Sequence, residues 1–457
     1  MSIISLSQTD VSTIPNPVER NFVRYTLFIS SFLLAFILIK SHIFFYVILL
    51  LWSMKGAKQS MIAISLINLM VMVNPALVPS GSAYKTLWWF SIIMFSFRII
   101  VDAARSGYLS HPVLPSLMLY SLIVLFISTF SLNISVSIAK IFSFSLMATA
   151  LLLGFRMTLS QYFDWQSWFL ASWFSVFILS VPTLFLTDIG YYRDQNGFQG
   201  ILNHPQVYGI YMSTACAWMF INTFFSNQTS KTSSKIYVMA LIWFMLLTKA
   251  RTAIVAISIS FLFIFVISII FKIPWTRYLK RMIYAFAVIS LTLFILTYFS
   301  NTSRELISDF FLKKNEAGSV NQAYSASRGQ IVEESWTNFL EQPIYGIGFG
   351  MTKNENIVYE IDTRTGLPLS FTTEKAMMPV VLLEETGLVG FFAFIPFFLM
   401  MIRYAITSFE IKMPMLFLTA LFINIGEMVF FSIGGIGLYL LMIVFWAVNS
   451  RYTKEIQ

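Results

Sequence analysis

The chain has little charge: 11% of its 457 residues are Asp, Glu, Lys or Arg, where soluble domains carry about 25%. That deficit excludes a soluble multidomain protein, so the length supplies membrane helices rather than domains. There is one cysteine, Cys216, inside an apolar run. It excludes an intrachain disulfide, a thiolate zinc site and a CxxC redox pair, and Cys216 reads as a small buried residue. No glycine-rich phosphate loop of the Walker type and no acidic metal cluster occurs, which argues against an ATP-driven pump and gives no metal site. No internal repeat is visible, which argues mildly against an inverted-repeat transporter. Residues 1–20 are polar and contain proline, so the first apolar run is expected to act as an uncleaved anchor.

What the chain does have is apolar length. Hydrophobic residues make up 57% of it, and Phe alone fills 47 positions. A spanning helix needs about 20 mostly apolar residues. Runs that meet or approach this lie near 22–40, 42–55, 60–78, 86–102, 112–130, 134–155, 167–187, 205–225, 234–249, 252–271, 282–299, 377–402, 413–430 and 433–450. They predict an all-α polytopic membrane protein of about 14 transmembrane helices (12–14). The separation at Lys40-Ser41-His42 decides whether 22–55 is one helix or two. With the N-terminus (Arg20, Arg24) in the cytoplasm, Lys55/Lys58, Arg98/Arg105, Arg156, Lys231/Lys235, Lys272/Arg277/Lys280/Arg281, Arg403/Lys412 and Arg451/Lys454 all fall inside. Four regions result: N-terminal helices at 1–187, central helices at 188–299 with a short external loop at 188–204, a large external loop at 300–376, and C-terminal helices at 377–457.

The large loop has seven basic and ten acidic residues, the mixture of a folded polar surface. Long structured loops are uncommon without a function. Ser327-Arg328-Gly329-Gln330 opens an amphipathic helix with Ile331, Trp336 and Phe339 near one face, and Gln342-Pro343 ends it. Gly346-Ile347-Gly348-Phe349-Gly350 follows. Alternate glycines let backbone amides approach a ligand or cradle an anion, although the same run also makes a tight turn without one.

Charges at or inside spans are costly and mark functional candidates. Lys249-Ala250-Arg251-Thr252 puts two cations at an outer helix end, against the charge trend; the plainer reading of Lys249 is snorkelling. Glu374-Lys375 precedes the span at 377–402, and Glu384-Glu385 lie deeper along it, where carboxylates need a partner or a proton. A structural pairing suits them as well as catalysis does. Glu427 is similar but has no motif around it. The loop Asp188–Gln206 combines Tyr191, Tyr192, Arg193, Asp194, Asn196, Phe198, His204 and Gln206. Aromatic faces with amides and a cation suit a sugar, and interfacial loops are also rich in Tyr. His204, before Pro205, suits a helix start as well as a base.

In order along the chain, these segments resemble the O-antigen ligase/polymerase superfamily, whose Wzy-type members polymerise polysaccharide repeat units. Gly200-Ile201-Leu202-Asn203-His204-Pro205-Gln206 is similar to the family's Gly-hydrophobic-x-x-His-Pro-Asn stretch, with Gln206 where Asn is usual. Lys249-Ala250-Arg251-Thr252 resembles its Ser-Arg-Thr helix start, with Ala250 for Ser. Arg328…Trp336 with Pro343-Ile344-Tyr345-Gly346-Ile347-Gly348-Phe349-Gly350, then Glu385-Thr386-Gly387-Leu388-Val389-Gly390, resembles Arg…Trp…Pro-x-x-Gly-x-Gly-x-Gly and Glu-x-Gly-x-x-Gly. Ligases to lipid A-core carry a His shortly before that last motif. Here the position falls near Ala376, and no His follows His204, which favours a polymerase.

The resemblance implies a GT-C-like bacterial inner-membrane enzyme with cytoplasmic termini, its large loop periplasmic or extracellular. It would join polyprenyl-diphosphate-linked oligosaccharide repeat units into O-antigen, capsule or exopolysaccharide, inverting the anomeric centre without a metal or other cofactor. Donor and acceptor would both be lipid-linked glycans, membrane lipid would hold the tails, a chain-length regulator would be a partner, and no nucleic acid is involved. Arg251 and Arg328 would meet the leaving diphosphate and Glu374 would take the acceptor proton. Tyr192, Arg193, His204, Gln206, Lys249, Trp336, Gly348 and Lys375 would bind substrate. A ligase to another acceptor and a flippase for the same lipid are the alternatives.

Overall fold

The computed structural model describes residues 17–78, 82–192, 197–224, 232–270, 329–353, 360–361, 368–370, 375, 377–407 and 411–453. The helices are α1 (Pro17–Ile39), α2 (His42–Ser53), α3 (Ala57–Val71), α4 (Ser82–Arg105), α5 (Leu114–Ile127), α6 (Ile134–Ser160), α7 (Trp165–Ser180), the short α8 (Thr187–Gly190), α9 (Pro205–Phe224), α10 (Thr232–Leu247), α11 (Arg251–Ile270), α12 (Gln330–Glu341), α13 (Met378–Ile406), α14 (Lys412–Gly426) and α15 (Gly435–Asn449). A two-stranded antiparallel ribbon, β1 (Glu360–Ile361) with β2 (Pro368–Ser370), is a small addition to the all-α expectation.

Among the described residues, six helical stretches are long and apolar enough to cross a membrane: 20–39, 84–105, 134–160, 165–184, 378–406 and 435–452. Shorter apolar helices accompany them. The protein is an all-α integral membrane protein. The apolar run at 282–299 lies outside the described residues, and each of the other runs coincides with a helix. The stretch 22–55 is two helices, because Lys40 adopts a left-handed φ of 54° that ends α1. With 12 residues, α2 rises about 18 Å, well short of a hydrocarbon core about 30 Å thick.

Burial orders the bundle. The apolar stretch of α15 is 78% buried and that of α6 67%, against 17% for α1, so α15 and α6 form the centre and α1 lies on the rim against α7. Several polar groups in this centre are neutral and paired with one another. Trp173 Nε1 donates to Tyr439 Oη at 2.5 Å, Thr214 shares a hydrogen bond with the same hydroxyl, and Trp168 Nε1 donates to Ser65 Oγ at 3.0 Å. Indole and phenol groups buried away from water need such partners.

At one end of the bundle, His111 is buried in the α4–α5 connection, its Nδ1 accepting from the Val113 amide at 3.1 Å. Burial pushes its imidazole down to about 4, Arg156 adds to this, and Asn449 opposes it. The folded state thus holds His111 neutral, whereas the unfolded chain takes up a proton below the ordinary imidazole value of 6.5. Stability is intact above that value, falls as the pH drops toward about 4, and is lower by roughly 3 kcal/mol once both forms are protonated. The apparent thermal midpoint of the detergent-solubilised protein is expected to fall over this window. His111→Gln should flatten the fall; an unchanged slope would refute the assignment.

Candidate functional site

The other end of the bundle gathers the motif segments. The loop after α8 is held by backbone bonds from the α3–α4 connection: Asn74 N–H donates to Ile201 O at 2.8 Å and Asn203 N–H to Met72 O at 2.8 Å. The Asn74 side chain donates to Ile189 O at 2.7 Å. Phe198 N–H donates to Leu247 O at 3.0 Å, which ties the same loop to the end of α10. There Lys249 adopts a left-handed φ of 54°, and Thr248 Oγ1 accepts from the Ala250 amide at 3.1 Å, so the chain reverses sharply and α11 starts at Arg251. Gly209 and Gly197 permit this contact, since a Cβ on Gly209 would stand 2.3 Å from Ala250 Cβ and one on Gly197 2.9 Å from Thr248 O. The Gly-Ile-Leu-Asn-His-Pro stretch and the Lys-Ala-Arg-Thr turn are thus brought together.

The glycine run meets the last motif in a different way. Gly387, with φ 60° and ψ −167°, interrupts α13. The amides of Leu388 and Val389 would serve Glu384 and Glu385 carbonyls in a continuous helix. Instead they donate to Pro343 O at 2.8 Å and Ile344 O at 3.2 Å. The freed carbonyls of Glu384 and Glu385 accept from Ile347 N–H at 2.9 Å and Gly348 N–H at 3.0 Å. Residues 343–348 are therefore spliced into the gap in α13, replacing its lost hydrogen bonds. Gly346 and Gly387 face each other across the splice: a Cβ on Gly346 would lie 2.5 Å from Glu384 O, and one on Gly387 2.3 Å from Ile344 O.

Charged side chains fill the same place. Lys375, buried just before α13, donates to Met351 O, to Glu384 Oε2 at 3.2 Å and to Glu385 Oε1 at 2.8 Å. Glu385 Oε2 accepts from Gly350 N–H at 2.7 Å, and Glu384 Oε1 from Asn338 Nδ2 on α12 at 2.8 Å. Lys140 of α6 donates to Gly350 O at 2.6 Å. Burial alone would lower the Lys375 pKa, but Glu385 and then Glu384 outweigh it and hold the ammonium above its usual range.

The α14–α15 connection joins the two halves. Met428 N–H donates to Lys375 O at 3.3 Å, and a Cβ on Gly426 would stand 2.5 Å from Thr252 Cγ2. Half-buried Glu427 lies between these two contacts.

Of the residues expected to act, Arg193, Arg328 and Glu374 lie outside the described residues. Arg251 is half-buried at the start of α11, and Lys249 beside it is exposed. Tyr192 and Trp336 are exposed, the latter beside Phe339 with ring centroids 5.2 Å apart. Gly348 is buried and its amide is engaged by Glu385 O. Gln206 is half-buried, and its amide donates to His204 Nδ1 at 3.1 Å. His204 thereby caps α9, as Asn does at many helix starts. His204→Asn is accordingly expected to keep most activity while His204→Ala loses stability by about 1 kcal/mol; equal loss of activity in both would assign the imidazole to substrate.

Lys140 and Asn338 went unnoticed in the motif reading because no motif surrounds them. Lys140 nonetheless meets the rule that a charge within an apolar run marks a site. Among the described residues, no three His, Cys, Asp or Glu side chains are grouped to hold a metal.

The class is thus a helical membrane protein with its polar motifs assembled at one end of the bundle. Residues 236–395, from α10 through the splice in α13, match the family described as O-antigen ligase, which supports the likeness of this part of the chain to the O-antigen ligase/polymerase superfamily. Members of that family are glycosyl-transferring enzymes acting on lipid-linked glycans. Comparison with curated proteins finds no match.

Proposed function

We propose that this protein polymerises polyprenyl-diphosphate-linked oligosaccharide repeat units at the external face of the bacterial inner membrane. The observation that carries this reading is the convergence of the Arg251 turn, the His204 loop and the glycine splice at one end of the bundle, inside and beside the matched family region. A hydroxyl of the acceptor attacks the anomeric carbon of the donor. The carbon–oxygen bond to the diphosphate breaks, its electron pair leaves with the polyprenyl diphosphate, and the hydroxyl proton passes to a carboxylate, Glu374 in this reading.

Negative charge collects on the leaving diphosphate in the transition state. Arg251 and Arg328 are placed in this reading to meet it, since guanidinium binds two phosphate oxygens at once and stabilises the transition state more than the ground state. Arg251 also opens a helix of 20 residues, and the positive end of the helix dipole favours an anion there. Tyr192, Arg193, Trp336 and Gln206 would hold sugar, with aromatic faces against the rings.

The lack of any His after His204 favours a second lipid-linked repeat unit as acceptor over lipid A-core. The test is a purified lipid-diphosphate repeat unit incubated with the protein and resolved by gel. A ladder of repeat lengths supports polymerisation. Product only when lipid A-core is supplied would make the protein a ligase. Transfer of the intact lipid across a vesicle membrane without any new glycosidic bond would make it a flippase.

A further inference from the structure

We infer that Lys375, Glu384, Glu385 and Lys140 form a charge-balanced internal clamp that holds the glycine segment in the break of α13, and that Lys375 is a positioning residue that does not touch substrate. The argument starts from donor count. An ammonium has three N–H donors, and Lys375 has three acceptors: Met351 O on the glycine segment, and one carboxylate oxygen each from Glu384 and Glu385 on α13. Its side chain is 7% exposed and those of the two glutamates 2% and 5%, so neither water nor a phosphate has room to replace these partners.

The remaining carboxylate oxygens are also engaged. Glu385 Oε2 accepts from the Gly350 amide, and Glu384 Oε1 from Asn338 in the last turn of α12. Lys140 completes the charge balance from α6, two cations against two anions, and grips the same Gly350 through its carbonyl. Each charge thus bridges two elements, and together they tie α6, α12, the glycine segment and α13 at one point. Asn338–Glu384 fixes α12, whose first residue, Gln330, follows Arg328 by two positions. Two buried glutamates side by side are stable as ions only while a cation lies between them. Removing it leaves uncompensated charge, which is the costly way to break a buried pair.

The amides of the splice report on the clamp directly. Ile347, Gly348, Leu388 and Val389 exchange with solvent only when the segment leaves the gap. Hydrogen exchange in detergent or nanodisc, read on peptides covering 343–350 and 384–390, is expected to speed up at least about tenfold in both peptides together in Lys375→Met. Adding Glu385→Gln to Lys375→Met removes one stranded charge and should restore part of the protection, a coupling that independent sites do not show. Should Lys375→Met not accumulate, the milder Glu384→Gln carries the same test with a smaller rise. Unchanged exchange in Lys375→Met, with the donor KM raised and kcat kept, would overturn the proposal and return Lys375 to substrate binding. The exchange readout needs no substrate, so it stands or falls separately from the polymerase reading.

Discussion

Gly387→Ala is expected to reduce glycan transfer by more than about a hundredfold while the protein still inserts in normal amounts. Two independent obstacles meet at this residue. Its backbone, at φ 60° and ψ −167°, lies in a region reserved for glycine. Its added Cβ would also fall 2.3 Å from the carbonyl oxygen of Ile344, a backbone atom that cannot rotate away. The lowest route out is for α13 to close into an unbroken helix, with Leu388 and Val389 donating to Glu384 and Glu385 in the ordinary way. That expels residues 343–348 and dissolves the site's geometry without removing a reactive group. Gly346→Ala presses on the same contact from the other side, so the double variant should be no worse than either single one. Gly435→Ala is the control: its φ of 54° is also left-handed, but nothing lies within 4 Å of an added Cβ. It should retain nearly full activity. If Gly387→Ala were as mild as Gly435→Ala, the splice would have no bearing on transfer.

Arg251→Ala should lower the transfer rate by about 10²–10³, the scale set by removing one preorganised donor from a developing anion. Arg251→Lys should fall between the two, because the charge remains and the two-point grip on a phosphate is lost. Lys249→Ala, at an exposed neighbouring cation, should cost only a few-fold because solvent screens it. Initial rates of ladder formation at saturating donor give all three. An Arg251→Ala rate within about threefold of the unaltered protein would remove Arg251 from the leaving-group role.

The helices were legible because apolar runs announce them, and even the doubtful division at Lys40-Ser41-His42 carried its polar residues in plain sight. The helix over Gln330–Glu341 was legible for the same kind of reason, with Phe339 buried on its apolar side and Gln342 closing it. The partners of the glycine run were not legible. The sequence allows Gly346 and Gly348 either to approach a ligand or to make a tight turn, whereas in the fold Gly346 packs on main-chain atoms of Glu384, Glu385 and Thr386, and Gly348 donates its amide to Glu385 O beside the Ser131 side chain. A backbone acceptor leaves no mark on sequence, and the segments that meet are distant along the chain. The same holds for Lys375: the resemblance places it among the substrate-binding residues, and only the fold turns it toward Glu384 and Glu385. Lys140 shows the opposite failure, since its position inside an apolar run was visible and the absence of a motif hid it.

The splice also bears on the order in which the protein is made. A helix with a gap has backbone groups that find no water in hydrocarbon, each at a cost of several kcal/mol. For α13 those groups are supplied by residues 343–348, which precede it in the chain and leave the ribosome first. The patch is therefore already synthesised when the broken helix emerges, and α13 need never wait in the bilayer for a partner still to be translated. A circular permutation that placed 343–348 after α13 would reverse this order with every native contact still available, and slow or failed insertion is its expected result.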